Sequence, residues 1–325
     1  MPLSEVGLRT YQKSRLKMWT DKKILVTGGH GFLGRHLIQQ LKKLDVNDIR
    51  APSSSELDLT IRENCKKVVQ DIDIVFHLAG KGGGIGHMRD NPGDIFFENL
   101  MMGTQLFHEA KESNIEKFVA LGTVCSYPKF SNIPFIEEDF WKGYPEETNA
   151  AYGLSKKMMA VQSQAYKQQF GFNSIVIIPT NMYGPYDNFN PITSHVIPAI
   201  IMKIQNAKKN NIDFISVWGD GSPTRDFLFV EDTVRGIILA AEKYNESEPI
   251  NLGSEEEISI IKLVQKISNI MEFKGEIKWD TTKPNGQPRR CVSYKKLREK
   301  FGFRPQVTLD EGLEKTINWF NENFS

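Results

Sequence analysis

A tyrosine and a lysine at helical spacing are the residues that most directly predict chemistry. Tyr152 and Lys156 stand four positions apart in a segment with a helical pattern, so their side chains lie on one face. An ammonium beside a phenol stabilises the phenolate, so the tyrosine can exchange a proton near neutral pH. Thr123 stands at the end of the preceding predicted strand and strengthens this interpretation. The pair therefore predicts an acid–base catalyst.

A glycine-rich turn near the start of the chain predicts a dinucleotide site. A buried strand, Lys23–Thr27, runs directly into glycines that satisfy both G-x-x-G-x-x-G and G-x-G-x-x-G. Such a turn lets the backbone approach a pyrophosphate, and the following helix N-terminus supplies free N–H groups and a positive dipole end. The position between a strand and a helix is the one that this mechanism requires. The residues of the turn are Gly28, Gly29, Gly31, Phe32, Leu33 and Gly34.

The end of the second predicted strand favours NADP over NAD. An NAD enzyme usually places a carboxylate there for the ribose 2′-hydroxyl, but residues 49–55 contain no Asp or Glu. Arg50 and the three serines of 53–55 stand there instead. Because a cation and hydroxyls suit a 2′-phosphate, we expect NADP as the cofactor, with NAD as the alternative.

The elements that must position these residues alternate between strand and helix. Short apolar runs predict buried strands, and the apolar positions of 32–44 fall on one helical face. This alternation predicts an α/β fold with a doubly wound, parallel, Rossmann-like sheet and right-handed crossovers. The predicted strands are Lys23–Thr27, Asp73–Leu78, Phe118–Leu121 and Ser174–Ile178, and helices are predicted at 32–44 and near 99–113 and 153–169.

The pattern loosens after Pro179. The segment 184–198 is rich in Pro, Asn and Gly and is predicted to be a long loop, and loops of that length are usually functional. A helix and a strand within 226–254 are expected to rejoin the sheet. The predicted domains are an N-terminal extension (1–21), a dinucleotide-binding domain (22–183 plus about 226–254) and a smaller, discontinuous α/β substrate-binding lobe (184–225 plus 255–325).

Charge and composition exclude several classes of protein. The 325 residues carry a formal net charge of +1, so no global field points to nucleic acid or to a membrane surface. No apolar run reaches the roughly 18 residues of a membrane helix, and the basic N-terminus lacks the apolar region of a signal peptide. Cys65, Cys125 and Cys291 have neither disulfide nor metal-ligand spacing, so we expect a reduced, cytoplasmic protein without a metal site.

These features resemble the extended short-chain dehydrogenase/reductase family, the NAD-dependent epimerase/dehydratase group. The resemblance covers nearly the whole chain from about Lys22 and includes the glycine turn, the tyrosine–lysine pair and the motif PTNMYGP at 179–185. It implies that Thr123 bonds the sugar oxygen, that Asp58 contacts the adenine and that the segment 218–227 holds a substrate diphosphate. The further cofactor contacts that it implies are Leu59, Leu78, Ala79, Asn99, Leu121, Gly122, Pro179, Asn181 and Met182.

A narrower resemblance is to the GDP-L-fucose synthase family. It rests on the stretches 83–85, 125–129, 186–189, 194–198 and 283–290. That family epimerises C3 and C5 of a GDP-4-keto-6-deoxy sugar and then reduces C4 with NADPH, and its acid–base groups match Cys125 and His195. His30 stands where the family often has arginine, which keeps NAD open. The implied substrate contacts are Thr123, Asn181, His195, Lys203, Trp218, Arg225 and Lys283.

The chemistry implied by this resemblance is a pair of proton transfers beside a ketone. A 4-keto group acidifies the hydrogens on C3 and C5, so a base on one face and an acid on the other can invert either centre through an enolate. A thiol such as that of Cys125 serves as the base if its site favours the thiolate, and the imidazole of His195 titrates near neutrality. The Asp-Glu pair that related dehydratases carry after the threonine is absent, which argues against dehydration.

Several alternatives stay open from the sequence alone. The chain could be a C4 reductase only, or an NAD-retaining epimerase like GDP-mannose 3,5-epimerase, whose pattern the segment 218–227 also resembles. A related GDP-4-keto sugar, including a heptose, is also open as the substrate. A non-catalytic NAD(P)-binding regulator usually lacks the tyrosine or the lysine, and both are present. The family resemblance further implies a homodimer formed through the helices near 99–113 and 153–169.

Overall fold

A sheet of six parallel strands lies at the centre of the computed structural model, which describes residues 19–283 and 285–324. The strands are β1 (Lys23–Thr27), β2 (Asp48–Arg50), β3 (Ile74–His77), β4 (Lys117–Leu121), β5 (Ser174–Pro179), β6 (Asn181–Tyr183), β7 (Phe214–Trp218), β8 (Thr224–Phe229), β9 (Ile250–Leu252), β10 (Glu257–Ser259), β11 (Glu276–Asp280) and β12 (Arg289–Arg290). The central sheet has the order β2-β1-β3-β4-β5-β9, and every neighbouring pair is parallel. The predicted α/β class and doubly wound sheet are confirmed.

Helices cover both faces of this sheet, which is why its inner strands are almost continuously apolar. The longest two, α4 and α5, pack against each other. The helices are α1 (Phe32–Lys43), α2 (Arg62–Val68), α3 (Ile85–Asp90), α4 (Pro92–Glu112), α5 (Ala150–Phe170), α6 (Val196–Lys209), α7 (Val230–Lys243), α8 (Ile260–Ile270), α9 (Lys295–Phe301) and α10 (Leu309–Phe324). Within the described ranges, no helix is long and apolar enough to cross a bilayer.

The order of the strands creates one crevice. After β1 the chain places β2 on one side and β3 on the other, so the direction of winding reverses at β1. In sheets of this kind a ligand binds outside the carboxyl ends of the strands at such a reversal. The glycine turn that follows β1 therefore lies where a ligand is expected.

The later part of the chain contributes one strand to the central sheet and builds two small ones. The predicted helix and strand within 226–254 are α7 and β9, and β9 pairs with β5 as expected. A four-stranded sheet contains β10, β8 and β12, with β6 also paired to β8, and β7 pairs with β11. Sequence reasoning missed β8. The predicted domain boundaries remain a prediction.

Trp19 shows that the chain enters the core before the predicted start of the first domain. Its side chain is fully buried, its indole lies 6.2 Å from the ring of Phe76, and Nε1 donates to Glu242 Oε1 over 2.9 Å. The predicted extension of residues 1–21 otherwise falls mainly on residues 1–18, which lie outside the described ranges.

Three boundaries differ by more than one residue from the predicted ones. The helices predicted near 99–113 and 153–169 begin earlier, at Pro92 and Ala150. Proline at a first helical position has a preset φ and needs no N–H partner, so it starts a helix well. The predicted loop 184–198 ends at His195, because α6 begins at Val196.

Candidate active site

The glycine turn after β1 forms a cradle for a pyrophosphate. Gly28 has φ +71°, a left-handed conformation that favours glycine, and its carbonyl accepts from the Gly31 N–H over 3.0 Å. A Cβ on Gly34 would overlap that same carbonyl. Because Gly31, the residue before α1, has no side chain that could cap the helix, the first N–H groups of α1 remain available to an anion. The residues present fit the phosphates of a dinucleotide.

The loop after β2 is arranged differently from the prediction. The Arg50 guanidinium donates from Nη1 to the carbonyls of Val68 and Gln70, 2.9 Å each, at the carboxyl end of α2. The carboxylate of Glu56 turns back into the loop and accepts from the Ser53 N–H and hydroxyl. Glu56 was missed because it stands just past 49–55. The predicted contact of Arg50 with a 2′-phosphate therefore gains no support from this geometry and stays a prediction.

Asp58 and Asn99 make local bonds at the edge of the same crevice. One carboxylate oxygen of Asp58 accepts from the N–H and hydroxyl of Thr60, and these bonds lower the pKa of Asp58. The Asn99 amide bonds both the N–H and the carbonyl of Lys81. Asn99 thus holds the loop that follows β3 in place. We therefore expect Asn99 to affect a cofactor indirectly, by positioning this loop.

The tyrosine–lysine pair lies against the carboxyl ends of β3 and β4. Lys156 Nζ donates to the carbonyl of Ala79 over 3.0 Å, and burial lowers the pKa of this lysine to about 8. Burial raises the pKa of Tyr152, the neighbouring Cys125 raises it further, and a hydrogen bond with Thr123 lowers it. The pKa of Tyr152 is thus raised, against the expectation that Lys156 brings its proton exchange near neutral pH. Tyr152 therefore carries its proton at neutral pH and can donate it. Leu78, Leu121, Gly122, Pro179, Asn181 and Met182 lie at or just beyond the carboxyl ends of β3, β4 and β5.

A second glycine brings Cys125 beside this pair. A Cβ on Gly153 would overlap the carbonyl oxygen of Cys125, so only glycine lets α5 approach the turn at 124–126 this closely. The Ser126 hydroxyl donates to the Gly153 carbonyl over 2.7 Å, and the Cys125 N–H donates to the Thr123 hydroxyl over 3.2 Å. The tyrosine–lysine pair and the cysteine are thus held as one unit.

The buried Arg290, the half-buried Arg225 and the more exposed His195 complete the far wall of the site. Arg290 Nη1 lies 3.5 Å from Cys125 Sγ, and Arg225 Nη1 donates to the Thr224 carbonyl. Desolvation by the surrounding protein, followed by repulsion from Arg290, lowers the pKa of both Arg225 and His195. Arg290 thus has Cys125, Arg225 and His195 in its surroundings, and the predicted roles of these three residues stay predictions. The structure adds Arg290, which the motif 283–290 contained but which sequence reasoning gave no role.

The loop 82–84 closes the site from the cofactor side. A Cβ on Gly82 would stand 3.7 Å from the Tyr152 ring, and one on Gly84 would stand 2.7 Å from the Ser194 carbonyl. This loop therefore spans the distance between Tyr152 and the segment that carries His195. Its lack of side chains leaves space where a sugar would lie.

The remaining predicted substrate contacts lie at the outer rim. Trp218 is 46% exposed at the end of β7, and Lys283 Nζ lies 5.7 Å from the centre of its ring. Lys203 Nζ donates to the Ser216 carbonyl over 2.7 Å, and the Asn181 amide donates to the Asp226 carbonyl. An exposed indole beside two lysines can hold an aromatic base and its phosphates. In the described ranges, no group of three or more His, Cys, Asp or Glu is placed to hold a metal ion.

The fold and this site define an enzyme of the dinucleotide-dependent short-chain type, with a tyrosine–lysine pair at the carboxyl edge of a parallel sheet. Residues 24–253 match the model of the NAD dependent epimerase/dehydratase family, and the chain belongs to that family.

Known relatives agree over nearly the whole length. GDP-L-fucose synthase of Sinorhizobium fredii is 38% identical over 304 residues, which cover 93% of this chain and 96% of the relative. A solved GDP-L-fucose synthetase from Naegleria fowleri, bound to NADP, is 29% identical with a TM-score of 0.82 and coverages of 94% and 95%. A GDP-6-OMe-4-keto-L-xylo-heptose reductase from C. jejuni has a TM-score of 0.88 at 24% identity, with coverages of 93% and 98%, and supports the fold alone.

Proposed function

We propose that this chain is an NADPH-dependent enzyme that epimerises C3 and C5 of a GDP-linked 4-keto-6-deoxy sugar and then reduces C4, the activity for which GDP-L-fucose synthases are named. The observation that carries the proposal is one shared site. Cys125 and His195 have no use in a simple reductase, yet Cys125 lies beside Tyr152 and Thr123. Arg290, which contacts Cys125, is also close enough to act on His195. The relatives named GDP-L-fucose synthase support the same assignment.

The residues divide the work between two steps. In the first step Cys125 removes a proton beside the ketone and His195 supplies one from the opposite face, so the carbon is inverted through an enolate. In the second step Tyr152 donates its proton to the C4 oxygen, which the Thr123 hydroxyl orients. The nearby Lys156 ammonium favours the phenolate that remains. NADPH, when bound, supplies the hydride for C4.

The preference for NADPH is supported by the missing acidic residue at 49–55 and by a solved relative bound to NADP. Steady-state kinetics with both cofactors tests it. A higher kcat/KM with NADH would contradict the preference and would point to Glu56, the first carboxylate after β2 along the chain.

The decisive experiment separates proton exchange from reduction. The wild-type enzyme is incubated in D₂O with GDP-4-keto-6-deoxymannose and without NADPH, and the sugar is analysed by mass spectrometry. We expect deuterium at C3 and C5, and Cys125→Ser should stop this exchange while direct reduction of the unepimerised ketone survives with NADPH. No deuterium in the wild type would leave a C4 reductase only, and equal exchange in Cys125→Ser would show that another base acts.

The same assay addresses the sugar. A GDP-4-keto heptose offered in parallel should react more slowly, because the proposed substrate in the open space beside Gly82 is a 6-deoxyhexose, a pyranose ring that carries only a methyl group at C5. Faster turnover of the heptose would support the proposed reaction but would identify the heptose as the preferred substrate.

We further propose that the protein works in the cytoplasm as a homodimer. All three cysteines are free thiols in the structure, which suits a reducing compartment. Apolar side chains are exposed on α4 and α5, including Phe97 at 57% and Val161 at 45%. Two copies of the chain that pack these helices together would cover the exposed apolar side chains.

A further inference from the structure

We propose that Arg290 is a positioning residue that holds Cys125 in its thiolate form and so makes the cysteine the base of the acid–base pair. This inference rests on the proposed function for its meaning in the reaction. Its physical core, an arginine that activates a thiol, can be tested without any substrate.

The contact itself is direct. Arg290 Nη1 donates to Cys125 Sγ over 3.5 Å, within the range of a hydrogen bond to sulfur. Only 8% of Arg290 is exposed, and in the ranges 19–283 and 285–324 it forms no ion pair with a carboxylate. A buried cation without a fixed anion is costly. A thiolate within hydrogen-bond reach lowers that cost, and the cation in turn favours the thiolate.

The guanidinium is held in place by a short chain of hydrogen bonds. Arg290 Nε donates to Gln287 Oε1 over 3.2 Å, and Gln287 Nε2 donates to the Lys129 carbonyl over 3.1 Å. Lys129 ends the stretch that begins at Cys125, so the arginine is anchored to the segment it serves. Strand β12 also pairs with β8, in a register that sets Arg290 opposite Arg225.

The other groups around the thiol are compatible with this role. Cys125 lies close enough to Arg225 and Tyr152 to raise the pKa of both, and Tyr152 keeps its proton. His195 lies close enough for Arg290 to lower its pKa. Two acidic residues affect the pKa of Arg225, first Asp226 and then Glu146, which lies outside this cluster. A lowered pKa makes the His195 imidazolium a stronger acid.

The proton balance of the step follows from these charges. The Cys125 thiolate takes a proton from carbon and becomes a thiol, leaving an enolate. The His195 imidazolium returns a proton to the opposite face and becomes neutral imidazole. Exchange of both groups with water restores the starting state, so no oxidant or reductant is consumed.

Alkylation of the intact protein with iodoacetamide at pH 7, followed by peptide mass spectrometry, tests the inference. Cys125 is partly exposed, whereas Cys65 and Cys291 are buried and burial raises their pKa, so labelling reports on Cys125. We expect Arg290→Gln to slow labelling of Cys125 about tenfold or more and Arg290→Lys, which keeps the cation, to stay within about threefold. A smaller side chain opens the site, so steric effects alone would speed the reaction.

Equal labelling rates in wild type and Arg290→Gln would overturn the inference. Circular dichroism and NADPH binding verify that each variant is folded, and should Arg290→Gln fail to fold, Arg290→Met and Arg290→Lys give the same comparison. The deuterium exchange assay then separates the two proposals. Slower labelling in Arg290→Gln together with no exchange in the wild type would uphold the arginine's action on the thiol and reject the epimerase activity.

Discussion

At the scale of single residues, the site combines groups whose pKa values move in opposite directions. Burial raises the pKa of the Tyr152 phenol and lowers that of the Lys156 ammonium. Both effects have one cause, since a buried site penalises the charged form of either group. A phenol that keeps its proton beside an ammonium is prepared to give that proton to a developing alkoxide.

The first prediction concerns Tyr152→Phe. The variant should lose about 10²–10⁴-fold in the rate of C4 reduction, the usual worth of a positioned general acid. NADPH binding should be almost unchanged, because the ring remains and only the hydroxyl is lost. Single-turnover kinetics and a cofactor titration measure the two effects, and near-normal reduction would rule out Tyr152 as the proton donor.

The second prediction concerns the pH dependence of stability. The pKa of Lys156 falls from its ordinary value near 10.5 to about 8 in the fold, so between these values the unfolded chain binds more protons. The free energy of unfolding that Lys156 contributes must therefore rise as pH increases through this window. Relative to Lys156→Met, the wild type should gain about 3 kcal/mol between pH 7 and pH 10.5. Urea unfolding at several pH values measures this, and parallel curves for the two proteins would contradict it.

Residue types at fixed spacing predicted part of this site, and a long-range contact supplied the rest. Tyr152, Lys156 and the glycine turn depend on neighbours within one element, so their sequence pattern is sufficient. Arg290 reaches Cys125 across 165 positions of the chain, and no local pattern encodes that contact. Arg50 is a case in which the local sequence was insufficient. The sequence predicted a cofactor contact for Arg50, but its guanidinium donates to carbonyl groups at the end of α2.

At the scale of elements, the approach of α5 to the turn at 124–126 decides the geometry of the site. The third prediction is that Gly153→Ala lowers the free energy of unfolding by about 1–3 kcal/mol, because the new methyl group would overlap the Cys125 carbonyl. Turnover should fall more than tenfold, since the helix also carries Tyr152 and a displacement near 1 Å is enough.

A matched control lies on another helix. Gly93 is in the first turn of α4, and no heavy atom of the residues that the structure describes lies within 4 Å of an added Cβ there. Gly93→Ala should leave turnover unchanged and the free energy of unfolding equal or up to about 1 kcal/mol higher. An equal loss in the free energy of unfolding of both variants, measured with urea, would show that the contact at Gly153 has no special role.

The elements that sequence reasoning predicted are those with an unbroken apolar run or a clear helical period. Strands β1, β3, β4 and β5 are buried on both faces and were found within one residue at each end. Strand β8 begins with Thr, Arg and Asp, polar residues that serve the site and its surroundings, so its first half does not have the appearance of a buried strand. Function at that strand obscured the structural pattern.

At the scale of the whole molecule, the fourth prediction tests the homodimer. Phe97→Glu combined with Val161→Glu places charges on exposed apolar positions of α4 and α5, and should convert the protein to a monomer at micromolar concentration. Light scattering coupled to gel filtration measures the mass. Phe130→Glu is the control, because Phe130 is 89% exposed but lies outside both helices. A monomeric wild type, or dissociation by the control alone, would contradict the proposed interface.

The strand β9 ties the completion of the central sheet to the order in which the chain is synthesised. Five strands of the sheet have been made once residue 179 emerges, but β9 supplies the sixth only after residue 252. Until then β5 presents an unpaired apolar edge, the kind of edge that recruits other chains. The nascent protein therefore passes through an interval of about 70 residues, a few seconds at ordinary rates of translation, in which it depends on chaperones or on its own α5 to stay out of aggregates.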